Sequence, residues 1–277
     1  MHSFFSAIYW NPSEGIDLGF FTLYYYSLMF VVAFTLGWYI MKKIFLRENI
    51  EIEKLDSLFI YTVLATLIGA RLGHVIFYDW DYFQNHLVEI FLPVRFEPEF
   101  EFTGFRGLAS HGAALGIIVA MYLYSKKVLG KPVLWILDRV VLPVASGAIF
   151  VRIGNFMNSE IIGEPTHSDY GVIFANLGED FARHPAQLYE SFSYLIVFII
   201  LWIVYWKTKK REKPGYLLGL FFVLLWTVRF FVEFVKEPQV GERATWALNT
   251  GQWLSIPFIL AGLYFMFRPT SEINTQA

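Results

Sequence analysis

The residues best suited to chemistry in this chain lie inside or beside apolar stretches. Arg152 and Asn155, three apart, close a stretch that begins near Val133, and Arg229 and Glu233, four apart, lie in another. Residues at these spacings share one face of a helix. An arginine at membrane depth costs roughly 2.5 to 3.5 kcal/mol on insertion scales unless something anionic or dipolar meets it. Two such cations in one small protein predict a site for an anionic group, with a lipid phosphate the obvious candidate. A guanidinium suits that task because it stays protonated and offers its donors in a fixed fork. His111, early in a third stretch, adds the side-chain type that titrates nearest neutrality and is the first choice for a general base. His184, at the start of a further stretch, is the alternative base.

The elements that must position these groups are membrane helices. The chain is 56% hydrophobic, 19% aromatic and only 17% charged, against about 25% charged residues in ordinary soluble domains. Seven stretches are long enough to cross a bilayer, near residues 18–45, 55–78, 107–129, 133–156, 185–206, 215–235 and 251–267, each needing about 20 residues at 1.5 Å rise. The fold class expected is an all-α polytopic membrane protein, one integral-membrane domain over residues 1–277, with no internal repeat and no soluble domain of its own. Cysteine is absent, which excludes disulfides, thiolate metal sites and a cysteine nucleophile on the enzyme. No His/Asp/Glu cluster has metal-ligand spacing and no glycine loop would cradle phosphates, so neither a metal nor a nucleotide cofactor is implied, and nothing points to nucleic acid. The N-terminal residues lack a basic region, a short apolar core and a small-residue cleavage site, so no removable signal peptide is expected and the first span is expected to direct its own insertion.

Lysines and arginines set the orientation. The loops after spans one, three and five and the C-terminal end hold thirteen of the 22 basic residues. The opposite loops hold five, Arg95, Arg106, Arg183, Lys236 and Arg243, and four, Arg71, Arg139, Arg152 and Arg229, lie in spans or at their ends. This alternation places the N-terminus outside and the C-terminus in the cytoplasm. Arg152, Arg229 and His111 then approach the outer surface at a similar depth. The two long outer loops, 79–101 and 158–184, carry aromatic, glycine and proline punctuation and are expected to pack as an external cap. Gly69-Ala70 and Gly112-Ala113-Ala114 would let helices or a lipid approach closely. Each residue taken singly also has a structural reading: Arg229 with Glu233 as an intrahelical pair, Arg152 as a cap on the last carbonyls of its span, Arg71 as a helix-end anchor, and Tyr24, Tyr25 and Tyr26 as an interfacial aromatic belt.

The run Val151-Arg152-Ile153-Gly154-Asn155-Phe156-Met157-Asn158-Ser159-Glu160-Ile161-Ile162-Gly163 resembles the signature of the prolipoprotein diacylglyceryl transferases, Gly-Arg-x-Gly/Ala-Asn-Phe-x-Asn-x-Glu-x-x-Gly, with Val151 in place of the leading glycine. Arg71 to Tyr78, Ser110-His111-Gly112, Arg183 to Glu190 and Arg229 to Pro238 look like further segments of that family, in its order. The resemblance implies a bacterial inner-membrane enzyme with a periplasmic N-terminus. It would move the diacylglyceryl group of phosphatidylglycerol to the lipobox cysteine of a preprolipoprotein, forming a thioether and releasing glycerol phosphate. By matching positions it implies that Tyr26, His111, Arg152, Asn155, Glu160, Gly163, Arg229 and Glu233 are functional: Arg152 and Arg229 on the phosphate, Asn155 and Glu160 holding Arg152 or the glycerol hydroxyl, Glu233 orienting Arg229. Members often carry a tyrosine just upstream of Arg229, where this chain has Trp226 nearby. A lipid transporter using the same arginines is the competing class, but it would more often show repeats and broken helices in matching halves. A family member that binds without turnover is the third, against which His111, Arg152 and Arg229 all stand intact.

Overall fold

The computed structural model describes residues 7–92, 94–96, 99–102, 107–237 and 248–269, so Arg106, Arg243 and Pro238 lie outside the described residues. Seven helices are long and apolar enough to cross a membrane, with mean hydropathies from 1.3 to 2.0 over their best windows. They are α1 (Tyr25–Arg47), α2 (Ile52–Tyr78), α4 (Ser110–Tyr124, extended by a π turn to Leu129), α5 (Val133–Met157), α6 (Ala186–Lys207), α7 (Tyr216–Val232, extended by a 3-10 turn to Val235) and α8 (Thr250–Phe267). A short helix, α3 (Trp80–Phe83), follows α2. The protein is therefore a multi-pass, predominantly helical membrane protein.

Six short strands complete the described residues: β1 (Ile8–Trp10), β2 (Gly15–Asp17), β3 (Thr22–Tyr24), β4 (Val94–Arg95), β5 (Glu101–Phe102) and β6 (Val172–Phe174). They pair as β1 with β6 in parallel, β2 with β3 and β4 with β5 antiparallel. The β2–β3 hairpin delays the first span. Where hydropathy alone starts it at residue 18, the helix begins at Tyr25. Asp17 accepts the Gly19 N–H at 2.8 Å, and Gly19 takes φ +84°, a left-handed conformation that a glycine adopts without a Cβ penalty. The chain reverses there and pairs Gly15 with Tyr24 before the helix starts. The other span ends shift by three residues or fewer.

The chain divides into two compact bodies, Met1–Met41 with Leu137–Ala277, and Lys42–Ile136. In the second, α2 and α4 meet through glycines: a Cβ on Gly112 would stand 2.3 Å from the Gly69 carbonyl oxygen and 2.6 Å from the Gly73 Cα. The small residues therefore serve helix contact in this body, where backbones close enough to touch leave no room for side chains.

In the first body α7 is seated at its N-terminus by Asp138 of α5, a buried carboxylate that accepts the Gly215 and Leu218 N–H groups at 2.6 and 2.9 Å. Free N–H groups at a helix start carry partial positive charge, which a carboxylate offsets. At the opposite end of α7, the segment between α5 and α6 is tied to α6 and α7 by main-chain bonds. Gly163 N–H donates to the His184 carbonyl at 3.0 Å, Glu164 N–H to Val235 at 2.9 Å, and Glu237 N–H to Ile162 at 3.1 Å. Phe156, Ile162, Val172 and Phe174 close a small apolar core under it, with Trp10 packed on the edge and its indole N–H on the Phe156 carbonyl at 3.2 Å.

Candidate active site

The last turns of α5 carry Arg152 and Asn155 on one face. Asn155 Oδ1 accepts from Arg152 at 3.2 Å, and its Nδ2 donates to Glu160 at 3.3 Å. The chain leaves α5 through two left-handed non-glycine residues, Ser159 (φ 53°) and Ile161 (φ 57°). Conformations of that kind persist only where surrounding contacts enforce them. Here they return Glu160 toward Asn155 while the Glu160 carbonyl accepts from Gln187 of α6 at 2.7 Å. Tyr26 of α1 packs on Gly154, where a Cβ would stand 2.7 Å from its ring, and its hydroxyl is within side-chain hydrogen-bonding reach of Asn155. Gly163 is required by close approach: a Cβ there would meet the His184 carbonyl oxygen at 2.4 Å and that of Val235 at 2.7 Å.

From Arg152 the charges continue across α6 to α7. Arg152 Nε stands 2.8 Å from Glu190 Oε2. The other oxygen of Glu190 accepts from Tyr194 at 3.4 Å and lies 3.6 Å from Lys236 Nζ. Lys236 also donates to Glu233 at 3.1 Å, and Glu233 stands 3.7 Å from Arg229. Asn249, which caps α8, donates to the Glu233 carbonyl at 3.1 Å and approaches its carboxylate at 3.5 Å. Glu190 and Lys236 are fully buried. Three cations, Arg152, Lys236 and Arg229, thus face two carboxylates, Glu190 and Glu233, in the buried part of the network. With the exposed Glu160 left aside, which reaches Arg152 only through Asn155, the sum leaves one positive charge.

The two arginines are held differently. Arg152 has a carboxylate on Nε and an amide oxygen on a terminal nitrogen. Arg229 has a buried Nε without a hydrogen-bond partner among the described residues, a single distant carboxylate, and the face of Trp226 at 5.5 Å. Trp226 itself is stacked on Phe258 at 4.1 Å, with the rings 5° from parallel.

Of the residues singled out from sequence, Tyr26, Arg152, Asn155, Glu160, Arg229 and Glu233 fall on this network, and Gly163 and His184 on the segment that closes it. His184 contacts the Tyr189 hydroxyl at 3.3 Å and that of Tyr170 at 3.4 Å. Its neighbour Arg183 is gripped by both oxygens of Glu179 at 2.6 Å, which holds the guanidinium above its ordinary pKa, and it donates to the Gly163 carbonyl at 3.1 Å. His111 belongs to the other body, exposed on the first turn of α4 with Phe77 edge-on at 5.1 Å and Tyr78 at 5.7 Å. Sequence reasoning misses Glu190 and Lys236 as site residues. The signal for Glu190 is an ionisable group inside a span, which is expensive without a partner. For Lys236 it is its place three residues after Glu233.

The sequence model of the prolipoprotein diacylglyceryl transferase family matches residues 14–268. The phosphatidylglycerol--prolipoprotein diacylglyceryl transferase of Bacteroides fragilis is 40% identical over 270 residues, covering 96% of this chain and 97% of the relative. The enzymes of the same name from Tolumonas auensis and Chloroherpeton thalassium are 37% and 38% identical, over 96% and 98% of this chain and 98% and 97% of theirs. With a family match over nearly its whole length and close relatives of nearly equal extent, this chain belongs to the prolipoprotein diacylglyceryl transferase family.

Proposed function

We propose that this protein transfers the diacylglyceryl group of phosphatidylglycerol to the lipobox cysteine thiol of a preprolipoprotein. It does so as a single integral-membrane domain in the bacterial inner membrane, with its N-terminus and outer loops on the periplasmic side. The sulfur attacks the glycerol carbon that bears the phosphate, a C–S bond forms, the C–O bond breaks, and glycerol phosphate leaves with the bonding pair. The thiol proton goes to a base, and His111 takes that role, with His184 as the alternative. Negative charge grows on the departing phosphate, and Arg229 and Arg152 meet it. Fixed cations in a site that excludes water act most strongly on charge that develops in the transition state, where one lost donor typically costs ~3 to 4 kcal/mol. Asn155 and Glu160 keep Arg152 aimed. Glu233 orients Arg229, and Lys236 shares that carboxylate and so offsets part of its charge. Tyr26 and Gly163 shape the edges of the headgroup site.

The observation that carries this reading is the surplus positive charge beside a guanidinium whose Nε is buried and unpartnered among the described residues. A structural network would close on itself, whereas this one retains a charge for an anion. On the same turns of α7, Thr227, Phe230 and Phe231 line a groove of about 330 Å³ with Ile256, Ile259 and Leu260 of α8, which offers hydrocarbon surface to a lipid. The test is glycerol phosphate release by the purified protein from labelled phosphatidylglycerol and a lipobox peptide. Release should require the peptide cysteine and vanish in Arg152→Ala, while peptide-independent release would overturn the reading. In His111→Gln the rate should recover partly as pH rises and the thiol ionises unaided. A profile of unchanged shape would move the base to His184.

A further inference from the structure

Between α2 and α4 the chain does not stand away from the helix it leaves. α3 is followed by a 3-10 turn, Leu87–Ile90, and Phe83 and Ile90 pack on Val75 with Leu72 and Tyr82 beside them. Arg71 fixes the arrangement: its Nε donates to the Ile90 carbonyl at 2.7 Å and a terminal nitrogen to the Glu89 carbonyl at 3.0 Å. Its guanidinium also lies 4.7 Å from the centre of the Phe83 ring. Arg71, Leu72 and Val75 precede the end of α2 at Tyr78 by seven, six and three residues, so the turn lies about 5 to 10 Å back along the helix axis. α2 has 27 residues, about 40 Å against a hydrocarbon core of about 30 Å. The charged Glu53, Lys54 and Asp56 hold its first turns at the opposite interface, so its last two turns reach the upper acyl chains and the headgroups, and the turn is held at that level.

The edge the turn presents outward is apolar. Leu87, Val88 and Phe91 are 59%, 67% and 56% exposed. The one acid among them, Glu89, is turned inward and buried, accepting from the Tyr82 hydroxyl at 2.6 Å and the Phe96 N–H at 2.9 Å. The same apolar surface continues onto α2 itself, where Ile76 and Phe77 are exposed.

We propose that residues 80–92 form an interfacial foot that lies in the outer boundary of the bilayer, with Leu87, Val88 and Phe91 among the acyl chains. The partner is the lipid surface, because the turn is pinned at lipid depth and its edge is continuous with a helix face that already meets lipid. Asp79 and Asp81 at its start outnumber Arg95, which lies on the Tyr82 ring, and leave no cationic cluster to attract anionic headgroups, so the insertion is apolar in origin and indifferent to salt. This inference rests on the membrane-spanning helices and not on the transferase reading, so either can fail alone.

The absence of cysteine makes the test direct. Val88→Cys is labelled with an environment-sensitive fluorophore in the full-length protein and reconstituted in phosphatidylcholine vesicles, with Leu67→Cys, exposed near the middle of α2, as the deep reference. The Val88 probe should emit to the blue and resist aqueous iodide. A nitroxide near the headgroup should quench it more than one deep in the chain, and the order should reverse at position 67. Adding salt or phosphatidylglycerol should leave the Val88 profile unchanged. Iodide access with no lipid quenching would overturn the proposal, as would protection that appears only when a lipobox peptide is added, which would make the edge a peptide-docking surface. Adding Arg71→Ala to Val88→Cys should raise iodide access at Val88 while the Leu67 profile in the same background stays fixed. If the Leu67 profile also changes, the variant has misfolded, and the Val88 probe with Arg71 intact decides for or against the foot.

Discussion

Two buried carboxylates, Glu190 in the first body and Glu89 in the second, are met in opposite ways. Glu190, 0% exposed, has Arg152 at 2.8 Å, Lys236 at 3.6 Å and one tyrosine hydroxyl. Glu89, 3% exposed, has a tyrosine hydroxyl and a backbone N–H as its hydrogen-bond donors. Either arrangement spares the carboxylate the cost of burial without partners. They differ in what remains. Neutral donors leave the Glu89 node closed, a fastening for the foot. Two cations, Arg152 and Lys236, gather on Glu190, and in the proposed function a ligand of opposite sign completes the set.

The hardest blow to that contrast is Glu190→Ala. It leaves Arg152 and Lys236 buried without their shared counter-charge, a loss of about 3 to 5 kcal/mol where one partner of a buried pair is removed. Thermal unfolding in detergent should fall steeply and transfer should be lost with it. Glu89→Gln keeps one oxygen for the Phe96 N–H, and the Tyr82 hydroxyl can turn to accept from the new amide –NH2, so stability should fall much less. Equal losses in the two variants would dissolve the distinction.

Arg229→Lys comes next. The ammonium keeps the charge but not the planar fork, so transfer should drop by roughly 10² to 10³ while the melting temperature barely moves, since Arg229 is held by one distant carboxylate. At Arg152 the same substitution should lower both, because its Nε–Glu190 contact is part of the fold. Lysine variants that behave alike at both positions would mean that the two arginines share one role.

How much of this could be read from the residues follows the same division. The seven spans were legible because twenty apolar residues in a row have few other uses. Arg152, Asn155, Arg229 and Glu233 were legible because polar groups at three- and four-residue spacing in such a run need a reason. The links from Glu190 to Arg152 and Lys236 were not, because these partners are distant in sequence and neither spacing nor hydropathy pairs α6 with the end of α7. The hairpin before Tyr25 was hidden by its own apolar composition, which hydropathy merged into the span. The inward turn of Glu89 was equally hidden, since an acid in an outer loop looks solvated until Tyr82 and Phe96 are placed around it.

A smaller effect is expected at Trp226. Its face, 5.5 Å from the Arg229 guanidinium, is steadied by the stack on Phe258. Cation–π contacts are worth about 0.5 to 2 kcal/mol, so Trp226→Leu should weaken transfer by roughly 2- to 30-fold. Trp226→Phe should recover part of it by restoring an aromatic face. If leucine and phenylalanine behave alike, the indole is packing only, and Arg229 owes its orientation to Glu233.

The least effect, and the cleanest on the closed side of the comparison, is the pH response of Glu89. Burial pushes this carboxyl up, but hydrogen bonds from the Tyr82 hydroxyl and the Phe96 N–H, with His86 and Arg95 nearby, outweigh it and hold the group below the usual carboxylate range. A depressed folded value binds its proton later than the unfolded chain does, whose glutamates titrate near ~4.3. The stabilisation is therefore fully present above that value and is lost as pH falls through the lower, folded one. Protonation also removes a lone pair from Tyr82 or Phe96, so the fastening of residues 80–92 should loosen locally before the helices do. Amide hydrogen exchange across Leu87–Ile90 should quicken in that acid window in the native protein and lose its pH step in Glu89→Gln. An equal step in both would place the acid-sensitive group elsewhere, and Glu89 would then be held by packing on Val75 and Phe83 rather than by its donors.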